Sequence, residues 1–317
     1  MESKGAKRRR TIFEKYSRQL HKMAEMKLLD VELEYEQTYI CPICTNQFSE
    51  ADLDIEKSNH LTLEDAPPKS LGGKARTLTC KNCNGEFGRE IDFHLTEKLN
   101  ELDIRSFHPN TGAKAKFLHN GIKVQGTIEV SDDGKIKIRH LEKVNHPEKL
   151  KEYIESTSKD DIVDVEFPAS RVEFRKFELA LLKTAYMMAF EHYGYPLVLS
   201  EQFNIIRSQL QKFNEEIYPS GFWSRQSEYT EDKHGVHLIT SKGFGGFKAI
   251  FVLKSEVSKS GYGVYLPLSN SSIPKVIDNL KTLGQGDELN FESYMHNDYF
   301  QEEKNIKMCY EFMKSNK

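Results

Sequence analysis

Apolar side chains recur at helical spacing between residues 171 and 194, with Phe174, Phe177, Leu181, Ala185, Met188 and Ala189 on one face and Gly194 as a stop. The second half of this segment, LALLKTAYMMAF, is apolar on most sides, which predicts a buried core helix. Upstream, Phe87, Ile91, Leu95 and Leu99 recur every fourth residue through NCNGEFGREIDFHLTEKLNEL and predict another helix, entered from a strand ending in TLTC. From about residue 113 the period changes to two. AKAKFLHNGIKVQGTIEVSDDGKIKIRH alternates apolar and polar residues, with Asp133-Gly134 as a hairpin turn, so a small β-meander is expected. A helix near NHPEKLKEYIEST and a short strand, DIVDVEF, follow before Pro168. After the long helix come a second helix over EQFNIIRSQLQKFNEEI and three antiparallel strands at HGVHLIT, FKAIFVLK and YGVYLPL. SSIPKVIDNLKTL then reads as a helix, and the last fifteen residues as a charged amphipathic one. The first forty residues read as helix and then extended chain, with KGAKRRR expected to be mobile.

These elements predict an α+β protein divided at residues 1–37, a basic arm and helix; 38–112, a cysteine-bearing module; 113–170, a small β-rich segment; and 171–317, an α+β region with the long buried helix and an antiparallel sheet. Hydrophobic content of 38% is enough for a real core. No stretch reaches the roughly 18 apolar residues of a membrane span, and the charged start has no apolar leader region, so a cytoplasmic protein is expected.

A net charge of −3 excludes a uniformly basic nucleic-acid binder and leaves local patches. Residues 1–27 hold nine Lys/Arg against three Glu, and residues 66–83 hold Lys69, Lys74, Arg76 and Lys81 with no acid. Either patch grips phosphates or is simply a solvated surface.

Four of the five cysteines form two tight pairs, Cys41-Pro-Ile-Cys44 and Cys80-Lys-Asn-Cys83, separated by 35 residues. In a reducing compartment such pairs match a tetrahedral four-thiolate zinc site, the alternative being two unrelated pairs. Four thiolates close the metal's shell, so this zinc would be structural. Cys309 reads as a small packing residue in the C-terminal helix. Between the pairs lies Glu64-Asp65, and Asn84 directly follows the last cysteine. Two carboxylates facing an amide make an oxygen-rich site for a hard divalent cation, unless the acids are a solvated turn. The intervening PPKSLGGKAR supplies Gly72-Gly73 for close backbone approach and cations for phosphate.

The order Cys41-x2-Cys44, LTLED-x-PPKSLGGK, LTC-x2-CN and GEFGREID resembles the HNH endonucleases, in the branch where four cysteines staple a ββα-metal fold. The resemblance covers residues 38–100, and FELALLKTAYMMAFEHYGY is similar to the long helix that follows the nuclease module in many bacterial HNH-type proteins. It implies a DNA-cutting hydrolase, with nucleic acid as partner, Zn²⁺ as staple and Mg²⁺ or Mn²⁺ as catalytic ion, and it suggests phage defence or a mobile element. By position, Glu64 would be a metal ligand, Asp65 the general base and Asn84 the second ligand. The chain departs from the family at two places: Asp65 stands where a histidine is usual, and Ala75 or Arg76 where an asparagine is usual. An unperturbed Asp titrates near ~3.9, so Asp65 needs its pKa raised by Glu64, or must join the metal itself. His60 and His94 are alternative bases. Asp92 shares a helical face with Asn84, but eight residues at about 1.5 Å rise put the two about 12 Å apart, so Asp92 is expected as a helix-face acid rather than a co-ligand. Two competing readings remain: a catalytically degenerate zinc module that binds nucleic acid without cutting, and a protein-interaction scaffold.

Overall fold

The computed structural model describes residues 3–269, 273–282, 289–294 and 296–316, and it is a mixed α+β protein. In chain order its elements are α1 (Lys4–Glu25), β1 (Tyr39–Ile40), β2 (Gln47–Phe48), β3 (Leu61–Asp65), β4 (Ala75–Cys80), α2 (Lys81–Phe87) and α3 (Phe93–Arg105). Then follow β5 (Gly112–His119), β6 (Ile122–Val130), β7 (Ile136–His140), α4 (Pro147–Ser156), β8 (Asp164–Glu166), α5 (Phe174–Tyr193), α6 (Tyr195–Val198) and α7 (Asn204–Gln211). The chain ends with β9 (Trp223–Arg225), β10 (Gly235–Ile239), β11 (Gly246–Lys254), β12 (Lys259–Pro267), α8 (Ile273–Thr282), β13 (Phe291–Glu292) and α9 (Glu303–Ser315). The expected helix over 271–283 is found at 273–282; residues 271, 272 and 283 lie outside the described residues.

Contacts divide the chain into two units, one of residues 1–96, 173–254 and 259–317, the other of 97–172 and 255–258. The sequence division set the cysteine module apart from the C-terminal region, whereas contacts place residues 38–96 and 173–254 together. The physical reason is α5. From Phe177 to Phe190 every residue of this helix is buried, and it packs against β4 and the turn after α2 as well as against β10, β11 and β12. The cysteine hairpin β1–β2 is fastened to the same body: Tyr195 Oη donates to the Ile40 carbonyl at 2.9 Å, and Gln211 Nε2 donates to the Ile43 carbonyl at 2.8 Å. The sheet of this unit has the order β13-β10-β11-β12-β9, antiparallel throughout.

The second unit is the expected meander, with the order β7-β6-β5-β8 and α4 closing its core of Ala115, Phe117, Val124, Ile128, Leu150 and Tyr153. Gly134 makes the β6–β7 turn at φ +76°, a conformation that favours glycine.

Two local expectations change. KGAKRRR is not a mobile arm but the first turns of α1, capped by the Ser3 hydroxyl, which accepts from the Ala6 N–H at 3.2 Å. EQFNIIRSQLQKFNEEI forms only a short 3₁₀ turn and α7, ending at Gln211, because the Gln209 side chain caps the following chain by accepting from the Ile217 and Tyr218 N–H groups. The helix after the second cysteine pair is interrupted by a π turn over Gly88–Asp92. A four-residue apolar spacing overruns an α turn by about 0.4 residue per step, and the wider π turn absorbs that drift. Phe87, Ile91, Leu95 and Leu99 therefore all stay buried.

Candidate active site

The cysteine pairs meet as the sequence requires. Cys41, Cys44, Cys80 and Cys83 bring their sulfurs within 4.8 Å of one another. Cys44 Sγ and Cys80 Sγ are 3.8 Å apart, and zinc bonds of about 2.3 Å in a tetrahedron place sulfurs at about that separation. The β1–β2 hairpin presents the first pair and the β4–α2 junction the second, with Lys81 N–H donating to the His60 carbonyl at 2.8 Å to fix that corner. The cluster fits a structural metal such as zinc. Cys309 lies apart, buried in α9, where burial pushes its thiol up to about 12.

Glu64 and Asp65 sit at the end of β3, where the ladder to β4 slips: Glu64 pairs with Thr77 and Asp65 with Ala75, leaving Arg76 as the bulged residue. Glu64 turns inward and its side chain is 1% exposed. A carboxylate so buried needs a counter-charge, and Lys183 from α5 supplies it, Nζ to Oε1 at 2.6 Å. Thr79 Oγ1 donates to the other oxygen at 2.8 Å. Asp92, at the end of the π turn, bonds the same ammonium at 2.8 and 3.1 Å, and Phe87 lies 4.8 Å from it. Burial alone would lower the Lys183 pKa, but Glu64 and Asp92 outweigh it and hold it above its ordinary value. Burial pushes the Asp92 carboxyl up, opposed by Lys183.

Asp92 is thus joined to Glu64 through Lys183, not through a shared ion with Asn84. Asn84 turns its amide group to β3, donating to Thr62 Oγ1 at 2.8 Å and to the Leu63 carbonyl at 3.0 Å, so its Oδ1 has no protein partner among the described residues. Asp65 is half-buried. Burial and then the Glu64 charge raise its pKa, while Lys69, Arg8 and Lys183 pull it back. Arg8 comes from the basic helix α1, so the two basic segments of the sequence meet beside Asp65.

Among the described residues the only group of three or more His, Cys, Asp or Glu donors near enough to share an ion is the cysteine tetrad. Oxygen donors are present for a hard cation at Glu64 and Asn84, but the Lys183 ammonium competes for the Glu64 oxygen. Lys69, Lys74 and Lys81 are exposed and without carboxylate partners among the described residues, whereas Arg76 is paired with Glu191 at 2.6 Å. Gly72 adopts φ +88° and lies against the Lys254 side chain, and a β-carbon on Gly73 would meet the Pro67 carbonyl oxygen at 1.6 Å, so the close approach at Gly73 is to its own loop. His60 and His94 serve elsewhere. His60 Nδ1 lies 2.8 Å from the Lys57 carbonyl, and His94 Nδ1 accepts from the Glu173 N–H at 3.1 Å, with its pKa lowered by burial.

No protein-family model, curated protein or solved structure matches the chain. The likeness to HNH endonucleases therefore rests on the motif residues themselves. The residue that sequence reasoning missed is Lys183. Its signal was a lone cation inside an apolar run, which obliges an acid partner without saying which.

Proposed function

We propose that the chain is an HNH-type, metal-dependent nuclease that hydrolyses phosphodiester bonds, with DNA as the expected substrate and bacterial defence or a mobile element as the setting. The observation that carries this reading is the surroundings of Asp65: a half-buried carboxyl raised by burial and Glu64, with Lys69 and Arg8 from two basic segments beside it. A raised pKa makes Asp65 a stronger base than a free aspartate, and the cations favour an incoming phosphate.

In this reading Asp65 removes a proton from the attacking water, whose oxygen bonds to phosphorus as the bond to the 3′ oxygen breaks. Glu64 and Asn84 Oδ1 would hold Mg²⁺ or Mn²⁺, which supplies charge neutralisation at the phosphate and the leaving oxygen. Lys183 positions the Glu64 and Asp92 side chains from behind. Lys69, Lys74 and Lys81 hold flanking phosphates without reading bases.

A second reading has its own observation. Both Glu64 oxygens are already bonded, one to Lys183 and one to Thr79, as expected of a degenerate module that binds nucleic acid and does not cut. Incubation of the zinc-loaded protein with plasmid, single-stranded DNA and RNA, each with Mg²⁺ or Mn²⁺, separates the two. Metal-dependent cutting supports the nuclease. Salt-sensitive binding without cutting under either metal supports the second reading, and neither result would leave a protein-interaction scaffold.

A further inference from the structure

Lys183 and Lys248 are the two buried lysines among the described residues, and they are satisfied differently. Lys183 has two carboxylates; Lys248, 8% exposed, has none among the described residues. Lys248 belongs to one face of the antiparallel sheet. In register it pairs with His237 on β10 and Tyr265 on β12, so the three side chains form a row on that face. Ile250, two residues on, points the same way, and above this face lies a cavity of about 750 Å³. Lys248 lines it, with Nζ 5.0 Å from the centre of the Tyr229 ring and 6.0 Å from that of Phe291. The side chain reaches this place only because residue 263 is glycine: a β-carbon there would come within 2.5 Å of Lys248 Cε. Lys233, Lys281 and one acid, Glu228, also line the cavity, so cations outnumber carboxylates there.

The Lys248 ammonium faces the cavity without a carboxylate partner among the described residues, so it is free to take an anion there. The two rings beside it offer flat apolar faces, and bases stack on such faces whatever their identity. The volume falls within the roughly 300–1,000 Å³ of small-molecule sites. We propose that this cavity binds a nucleoside phosphate, with the phosphate on Lys248 and the base against Tyr229 and Phe291. The ligand is either a free nucleotide or the phosphorylated end of a nucleic-acid strand. This site shares no residue with the Glu64–Lys183–Asp92 group and does not depend on whether that group cuts.

Titration calorimetry on the full chain, without added divalent cation, tests the assignment with four probes: adenosine monophosphate, adenosine, inorganic phosphate and a 5′-phosphorylated tetranucleotide. The expected result is saturable binding of the monophosphate or the tetranucleotide, weaker by about tenfold or more for adenosine and for Lys248→Met. Binding of the monophosphate alone points to a free nucleotide, and binding of the tetranucleotide, with or without the monophosphate, to a strand end. Should Lys248→Met fail to fold by thermal melting, Phe291→Ala is the substitute, since Phe291 is exposed at the sheet edge; it should weaken binding several-fold. Binding of inorganic phosphate alone, no saturable heat with any probe, or wild-type affinity in the folded variant would overturn the proposal.

Discussion

Lys183 places a full charge where almost no water reaches, so its removal should expose the cost of the two acids it neutralises. Lys183→Met is expected to lose about 3–5 kcal/mol in denaturant melts, because Glu64 and Asp92 are then left without a counter-charge. Adding Glu64→Gln should recover part of that loss, as expected for residues in one network. Asp65 gives the opposite sign. Its folded pKa is raised, so its contribution to stability is fully present below the unfolded value near ~3.9 and is lost as pH rises through the folded one. Asp65→Asn should therefore melt higher than the wild type at neutral pH, with the gain vanishing in acid. Equal melting temperatures at pH 7 would contradict the raised pKa. The acid pair itself could be read from LTLED, and a buried lysine could be suspected in LALLKTAYMMAF. Their pairing could not, because 118 intervening positions, 65 to 182, separate Glu64 from Lys183 and only the packing of α5 brings them together.

At the level of elements, the cysteine tetrad ties the β1–β2 hairpin to the start of α2. Metal analysis of reduced protein should find one zinc per chain, and Cys80→Ser should lose both the metal and cooperative melting of this region. Protein with no bound zinc would remove the staple. Two glycines in the same module should respond differently. Gly73→Ala pushes a β-carbon into the Pro67 carbonyl and should cost about 1–3 kcal/mol, whereas Gly88, with nothing within 4 Å of its missing β-carbon, should tolerate alanine or gain about 0.5–1 kcal/mol. Cysteine spacing and the period-two meander were legible because each depends on neighbours in sequence. The fate of KGAKRRR was not: a basic run looks mobile until Ser3 caps it and the buried face of α1, with Phe13 and Tyr16, holds it down. The π turn was hidden too, although the four-residue spacing from Phe87 to Leu99 was its trace.

For the whole molecule, α5 makes the cysteine module and the C-terminal sheet parts of one contact unit, which the composition of 38–112 alone did not disclose. Among the described residues no helix is long and apolar enough to cross a membrane. With a net charge of −3, the proposed attraction to nucleic acid would rest chiefly on the patch where α1 and the Lys69–Lys81 segment meet. Binding should accordingly weaken steeply with salt, and Lys69→Ala with Lys74→Ala should flatten that dependence by about two counterions, read as the slope of log affinity against log salt. The measurement that bears most directly on the account is the Mn²⁺-dependent cleavage rate of plasmid by wild type and Asp65→Asn, both zinc-loaded and checked for folding. Cutting by the wild type is expected, at a rate about 100-fold or more above that of the variant, the usual scale for loss of a general base. Equal rates, or no cutting by the wild type with any divalent cation, would contradict it.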